Sequence, residues 1–411
     1  MNNNYRQKAI FVLLGSFVLQ FLSGILMSWS VAGKELTVNL GWTGIQASTP
    51  YTFAIMMMPI AMIIAGRVQN IKGARITAII GALALGGGII LCGIANTPVT
   101  MTLTFGILAS IGMGFNNIAA TATPMRWFSP LKKGFVAGVI MAAINISAIV
   151  YSPTFNSLIE NNGLSSAFFM LGSAIIVIAF VMALLVVEPP KEYEDLLNPI
   201  EDKEVKTASI ETYNDINWKQ MIRTPAFYKL FAMLAFCTAA GMMVVGHLAM
   251  IVKVQANWES GYLLVIVFAV SSSIGSLFGG SISDKIGILK MLRLAFILQA
   301  ANFTFFIFYS TVPMLIVGAA LTGLFFGAAL PTFASATAGF FGIRNMAGNY
   351  GIVWLGFGVS GMIGPLTAGG IFDATGSYKD AFIVSIILLL IAVVITFTFA
   401  KENRVNNQSK K

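Results

Sequence analysis

The chain has 411 residues, of which 57% are hydrophobic and 10% charged, with a mean hydropathy of +0.83 and a formal net charge of +9. Soluble domains carry about a quarter charged residues, so this composition excludes a water-soluble enzyme, a secreted disulfide scaffold and a disordered chain. Cys92 and Cys237 are the only cysteines, each inside an apolar run, which leaves neither a disulfide framework nor a thiolate metal site.

A helix that crosses the hydrocarbon of a bilayer needs about 20 mostly apolar residues. The sequence predicts an all-α integral membrane protein with twelve such spans, over 8–32, 48–67, 74–95, 99–124, 133–158, 165–187, 225–252, 260–283, 290–310, 313–341, 347–372 and 379–400. The first run is long and lacks a small-residue cleavage site, so it reads as a span and not as a cleavable signal.

Span 1 carries Gln20 and Ser23 at i, i+3, with Trp29 near its outer end. Span 4 carries Asn116 and Asn117, whose amides point about 100° apart on a helix, so at most one of them squarely faces a cavity. Span 5 carries Asn145 and Tyr151. Amides and hydroxyls at these depths either line a pathway or hydrogen-bond between helices.

Residues 188–224 are the one long polar stretch, with nine of the sixteen acids and Pro189-Pro190. Six spans precede it and six follow, so the expected organisation is a six-helix bundle over 1–187, a solvated cytoplasmic linker over 188–224, and a second bundle over 225–411 with a short cytoplasmic tail. His247, the single histidine, falls in the outer part of span 7. Imidazole changes charge near working pH, which makes His247 a candidate for substrate binding and for proton coupling, against the plainer reading of a rim residue bonded to a carbonyl. Span 8 offers Ser271, Ser272, Ser273 and Ser276, and span 11 places Tyr350 and Trp354 on one face at i, i+4. Gln299 and Asn302 belong to span 9 and are read as peripheral.

All but three of the 25 Lys and Arg fall on the termini and the even-numbered connections, the exceptions being Lys34, Lys253 and Lys379. By the positive-inside rule both termini are cytoplasmic, and the basic charge is an orientation signal and not a nucleic-acid surface. Outside the linker the acids, Glu35, Glu160, Glu259, Asp284, Asp373, Asp380 and Glu402, lie at span ends or in loops, and no Lys or Arg falls mid-span.

One loop pattern recurs. After span 2 the chain reads Gly66-Arg-Val-Gln-Asn70-Ile-Lys-Gly73, and after span 8 Gly280-Ser-Ile-Ser-Asp284-Lys285-Ile-Gly287. The first Gly permits close helix approach, Asp284 is placed to cap or charge-pair at helix ends, and the last Gly permits a tight turn. With the span count and central loop, this repeat resembles the major facilitator superfamily, whose loop carries Gly-x-x-x-Asp-(Arg/Lys)-x-Gly; Asn70 departs from that pattern. Arg126-Trp127-Phe128, Arg223-Thr-Pro-Ala-Phe227 and Arg344-Asn-x-Ala-Gly-Asn349-Tyr350-Gly351 are similar to the oxalate–formate antiporter and monocarboxylate transporter branch.

The resemblance implies a substrate site near the midplane between the halves, with the halves rocking around it. It also implies an Arg in span 8 and, for the oxalate carrier, a Lys in span 11; those positions here are Ser276 and Phe357. A dianion without a cationic partner meets a desolvation cost of several kcal/mol, so oxalate is disfavoured. The branch has a His near His247 and a polar cavity residue near Asn117. The expected protein is therefore a monomeric secondary transporter of the plasma (inner) membrane that moves a small monocarboxylate-type acid, as antiporter or proton symporter. Its expected site residues are Gln20, Asn117, Asn145, Tyr151, His247, Ser276, Tyr350 and Trp354, and its gating residues Gly66, Asn70, Gly73, Gly280, Asp284 and Gly287. No cofactor, metal or catalytic residue is expected, and no Gly-x-x-x-x-Gly-Lys-Ser/Thr loop for ATP is present. The alternatives are the same fold carrying a neutral or zwitterionic solute, or a membrane sensor that binds without transport.

Overall fold

The computed structural model describes residues 3–38, 40–197, 215–258 and 262–408, and all regular structure among them is helical. Eleven helices are long and apolar enough to cross a membrane. One of them, Lys133–Leu185, is broken at Gly163 (φ 78°, ψ 162°), which divides spans 5 and 6 and brings the crossings to twelve. Only Gly adopts that left-handed conformation without a Cβ penalty. The remaining spans are Gly44–Lys72, Ala74–Cys92, Pro98–Trp127, Ile288–Phe306, Val312–Phe341 and Met346–Thr375, with span 1, span 7, span 8 and span 12 described below.

Three spans are less regular than their hydropathy suggests. Span 1 runs as Asn3–Ser23, a 3₁₀ segment Gly24–Ser28 and Trp29–Val38. Span 4 contains a π-helical stretch, Thr102–Ala109. Span 7, expected to be continuous over 225–252, is two helices, Pro225–Val245 and Leu248–Ala256, that part at Gly246-His247. Hydropathy reports only that a segment is apolar, and is blind to which carbonyls a helix leaves for side chains.

The chain clusters into two units. The first comprises Met1–Phe128, Ala143–Glu194 and Met346–Ile352, and the second Ser129–Ala142, Asp195–Asn345 and Val353–Lys411. In the first, Trp29 Nε1 donates to the Ala47 carbonyl at 2.9 Å and its ring lies 4.0 Å from that of Phe105, inside the π-helical stretch. That stretch packs Gly106 against Pro50 and Phe53 of span 2. In the second unit, span 8 (Tyr262–Ile286) and span 10 meet along a reciprocal glycine seam. Gly275 and Gly279 face Leu324 and Ala328, while Gly323 and Gly327 face Phe268 and Ser272. Small residues four apart on both helices let the backbones touch, which is how packing substitutes for the hydrophobic effect inside lipid.

The linker is not solvated throughout, as its composition suggested. Lys191–Leu197 is a short helix with Tyr193 and Glu194 buried, and Asn217 caps a second short helix, Trp218–Met221. The stretch 198–214, which holds much of the acidic charge, lies outside the described residues, as does Glu259.

Candidate functional site

Polar side chains are concentrated along span 1 where it packs on spans 4 and 5. Ser16 and Gln20 are fully buried, and Ser16 Oγ and both polar atoms of the Gln20 amide have no hydrogen-bond partner among the described residues. One turn on, Ser23 Oγ donates to the Leu19 carbonyl at 2.9 Å and accepts from Asn116 Nδ2 at 3.3 Å. Gly24 then closes onto Ser147 of span 5, and Tyr151 donates from span 5 to the Leu22 carbonyl at 3.5 Å while stacking on Phe21. Asn116 and Asn117 are both buried; among the described residues the Oδ1 atom of each is unpartnered, as is Thr121 Oγ1, four residues beyond Asn117. Asn145 is half-buried two residues before Ser147. An unpaired buried amide costs about 1–3 kcal/mol, so this seam carries hydrogen-bonding capacity that the protein itself does not use.

The second unit is filled differently. Ser276, fully buried, donates to the Gly327 carbonyl of span 10 at 3.0 Å. Trp354 stacks on Phe357 with centroids 5.1 Å apart and planes within 7°, while Tyr350, in the part of span 11 that belongs to the first unit, is fully buried. The two positions where related carriers are expected to hold cations are thus taken by a helix–helix hydrogen bond and an aromatic stack. Among the described residues the buried polar side chains of the spans are Ser, Thr, Asn and Gln, and the buried carboxylate is Glu194, in the short helix after span 6.

His247 sits at the break in span 7 with both ring nitrogens engaged. Nε2 lies 2.9 Å from the Pro365 carbonyl of span 11, and Nδ1 lies 3.0 Å from the Tyr378 hydroxyl. A carbonyl only accepts, so Nε2 carries a proton and donates to it. Nδ1 then accepts from Tyr378 in the neutral ring, or donates to the Tyr378 oxygen in the imidazolium; both protonation states keep both bonds. Tyr378 lies between spans 11 and 12, and its phenol is pushed above its ordinary value, first by burial and then by the nearby Asp373 carboxylate.

The two glycine loops are built alike. At the end of span 2, Gly66 faces the Ala347 carbonyl at the start of span 11 so closely that a Cβ would collide with it, and Asn70 lies beside Gly348. Gly73 turns the chain with φ 85°. At the end of span 8, Gly280 meets the Gly134 carbonyl at the start of span 5 in the same way, and Gly287 turns with φ 93°. The difference is the acid. Asp284 Oδ1 accepts from Gly134 N–H at 2.7 Å and Oδ2 from Phe135 N–H at 2.9 Å, so one carboxylate caps the N-terminus of span 5.

Sequence reasoning missed a further cluster. Arg126 is bidentate to Glu194, at 3.0 and 2.8 Å, and lies 3.3 Å from Glu188. Trp127 Nε1 donates to the Val187 carbonyl at 2.6 Å, and Tyr193 lies between Tyr5 and Trp127. The linker's first helix is thereby fastened to the ends of spans 1, 4 and 6. Its signal was present in Pro190 followed by Tyr193 and Glu194, but only a partner at Arg126 gives that spacing a meaning. Asp215 does the same for the linker's far end, accepting from Arg344 N–H at 3.0 Å while its own carbonyl accepts from Asn345 at 2.8 Å.

Twelve apolar crossings, repeated glycine loops and polar seams in an uncharged interior define a multi-pass membrane transporter. The family model of the Major Facilitator Superfamily matches residues 10–266 and 255–411, and the chain belongs to that superfamily. Relatives include an uncharacterized MFS-type transporter of Escherichia coli, YhjX, 23% identical over 87% of each chain. The oxalate:formate antiporter of Oxalobacter formigenes is 24% identical over 96% of this chain and 92% of its own. Human monocarboxylate transporter 12 is 22% identical over 77% of this chain and 66% of its own. Among solved structures, the E. coli fucose:proton symporter FucP aligns with a TM-score of 0.73 at 14% identity, over 95% of this chain and 98% of that one. The human organic anion transporter MFSD10 aligns with a TM-score of 0.67 at 14% identity, over 95% and 99%.

Proposed function

We propose that the protein is a secondary transporter of the plasma membrane, with both termini cytoplasmic, that moves a small monocarboxylate by alternating access, in exchange for another anion or together with a proton. One observation carries the reading: buried amides and hydroxyls, in place of fixed cations, fill the spans of a chain whose relatives include an oxalate:formate antiporter and monocarboxylate transporter 12. A monocarboxylate bears a single charge, which hydrogen bonds from Gln20, Asn117 and Asn145 are suited to satisfy; His247 joins them only by exchanging its bond to the Pro365 carbonyl or the Tyr378 hydroxyl for one to the cargo. Tyr151, Tyr350 and Trp354 supply walls, and Ser276, whose hydroxyl is given to the Gly327 carbonyl, supplies a small neutral side chain where a cation was expected. Direct coupling to ATP has no motif to rest on.

The uncharged interior also favours a second reading, in which the cargo is a neutral or zwitterionic solute. Counterflow separates the two. Purified protein in liposomes preloaded with unlabelled formate, acetate, lactate, oxalate, neutral amino acid or polyol is assayed for uptake of the labelled solute, with and without an inward proton gradient. Saturable counterflow of monocarboxylates with little oxalate exchange is the expected result. Exchange of neutral solutes alone overturns the organic-acid reading, and specific binding without flux of any solute makes the protein a sensor.

A further inference from the structure

Span 9 (Ile288–Phe306) and span 12 (Lys379–Gln408) pack against each other within the second unit, and much of their outer surface is apolar and exposed, including Leu294, Ile297, Leu390, Val394 and Phe397. In a multi-pass membrane protein that surface faces acyl chains. Arg293 stands within it. The residue is the sixth of span 9, about 8 Å along a helix that rises 1.5 Å per residue, which puts its guanidinium at the level where lipid headgroups meet hydrocarbon. Its carbon ζ lies 3.6 Å from the centroid of the Phe397 ring, and its Nε donates to Thr396 Oγ1 at 3.0 Å. Phe397 is 52% exposed, so the guanidinium is stacked on a ring that itself lies on the membrane-facing surface.

These two contacts fix the plane of the guanidinium and use one of its five N–H donors. The terminal amino groups meet no carboxylate among the described residues. A cation at this depth is costly without a partner, and a fixed fork of N–H donors is the geometry that takes a phosphate through two parallel hydrogen bonds. Lys290, exposed one turn earlier on the same helix, adds a second positive charge on that side. Stacking on Phe397 keeps the cation at the surface and spares it the rotamer entropy that a free Arg would lose on binding.

We propose that Arg293, with Lys290 and Phe397, forms a binding site for the phosphate of an anionic glycerophospholipid, whose acyl chain lies along Ile297, Val394 and Leu390. The proposal needs only the membrane-spanning fold and is independent of the cargo.

The test uses the full-length protein, delipidated in detergent and titrated with dioleoylphosphatidylglycerol or dioleoylphosphatidylcholine while the melting temperature is followed. Lipid that binds only the folded state raises that temperature. Phosphatidylglycerol is expected to stabilise at concentrations at least fivefold lower than phosphatidylcholine. Arg293→Gln is expected to remove that preference, Arg293→Lys to keep part of it, and Lys72→Gln, a basic site at the end of span 2, to leave it intact. Should Arg293→Gln fail to give a monodisperse protein, Phe397→Ala serves in its place, with at least a threefold loss of preference expected. Glycerol phosphate or inorganic phosphate at equal concentration is expected to have no effect. Equal response to the two lipids, an unchanged preference in Arg293→Gln or its substitute, or full competition by inorganic phosphate each overturns the assignment, the last by showing an ion site in place of a lipid site.

Discussion

Replacing Asp284 by Asn removes one of two caps on the start of span 5 and leaves the shape of the side chain unchanged. The carboxylate holds Gly134 and Phe135 N–H groups at 2.7 and 2.9 Å, one on each oxygen. An amide keeps a single acceptor oxygen, so one N–H loses its partner, and the remaining bond is no longer assisted by charge. Loss of a helix cap costs about 0.5–2 kcal/mol, and a full negative charge at a helix N-terminus adds about 0.3–1 kcal/mol. Taken together, the substitution weakens the capped arrangement by about 1–2 kcal/mol, a factor of about 5–30 in its equilibrium with any uncapped state. Hydrogen–deuterium exchange read on a peptide spanning 129–142 measures that factor directly, because the two amides exchange only when the cap opens. Asp284→Asn is expected to speed exchange of those amides about tenfold while leaving peptides of spans 3 and 6 unchanged. Unchanged exchange in Asp284→Ala, which removes both acceptors, would refute the capping account.

Gln20→Leu replaces an unpaired buried amide with an apolar group of similar volume, so it is expected to stabilise the protein by about 1–3 kcal/mol while abolishing the melting shift given by the transported solute; a destabilised variant would mean the amide has a partner. His247→Ala is expected to cost about 1–2 kcal/mol through two lost hydrogen bonds and to leave Tyr378 without its imidazole, read as a lower melting temperature that His247→Gln partly restores. The raised phenol of Tyr378 gives a pH signature. The folded state keeps its proton where the unfolded state releases one, so its stability is unaffected below the ordinary value near 10 and falls as pH rises beyond it. Melting temperatures between pH 8.5 and 11 are expected to drop less steeply in Tyr378→Phe than in the wild type. Gly280→Val places side-chain atoms against the Gly134 carbonyl, where there is no room. A misfolded or poorly expressed protein, judged by size-exclusion profile, is the expected result, whereas Gly370→Val, with open space at its Cβ, is expected to behave as wild type.

The spans were legible because the bilayer imposes one requirement, a sufficient apolar length, that composition alone reports. The glycine loops were legible for a related reason: a position that tolerates no Cβ, such as Gly66 or Gly280, leaves a residue type that cannot be mistaken. What the sequence withheld are properties set by partners far along the chain. His247 reads as a titratable group in a span, but the Pro365 carbonyl and Tyr378 hydroxyl that occupy it come from 118 and 131 residues away. Arg126 reads as an orientation charge until Glu188 and Glu194 fold back on it. Arg293 likewise counts as one more positive residue until Phe397 is found under it. The reading of residues 188–224 as solvated failed where Tyr193 buries its ring, since short helices docked by two or three side chains leave no periodic trace.

The absence of a cation at position 276 has consequences for what the transporter carries. Resemblance to the carboxylate carriers assigns that position an Arg, and a change of one side chain is the simplest way to restore it. The packing argues otherwise. Ser276 is fully buried, gives its hydroxyl to the Gly327 carbonyl at 3.0 Å, and presents its own carbonyl to Gly138 at a distance that excludes even a Cβ on the glycine. Three backbones therefore converge where a guanidinium would have to be placed, and the glycines that allow the convergence lie on spans 5 and 10 as well as beside Ser276 on span 8. An Arg introduced there meets both the steric cost of overpacking, about 1–3 kcal/mol, and the cost of an unpaired buried charge. The lack of a cation at position 276 is thus a property of the helix packing and not of one substitution. Under the proposed function, a dianion, which needs such a partner to leave water, is expected to be a poorer cargo than a singly charged or neutral solute.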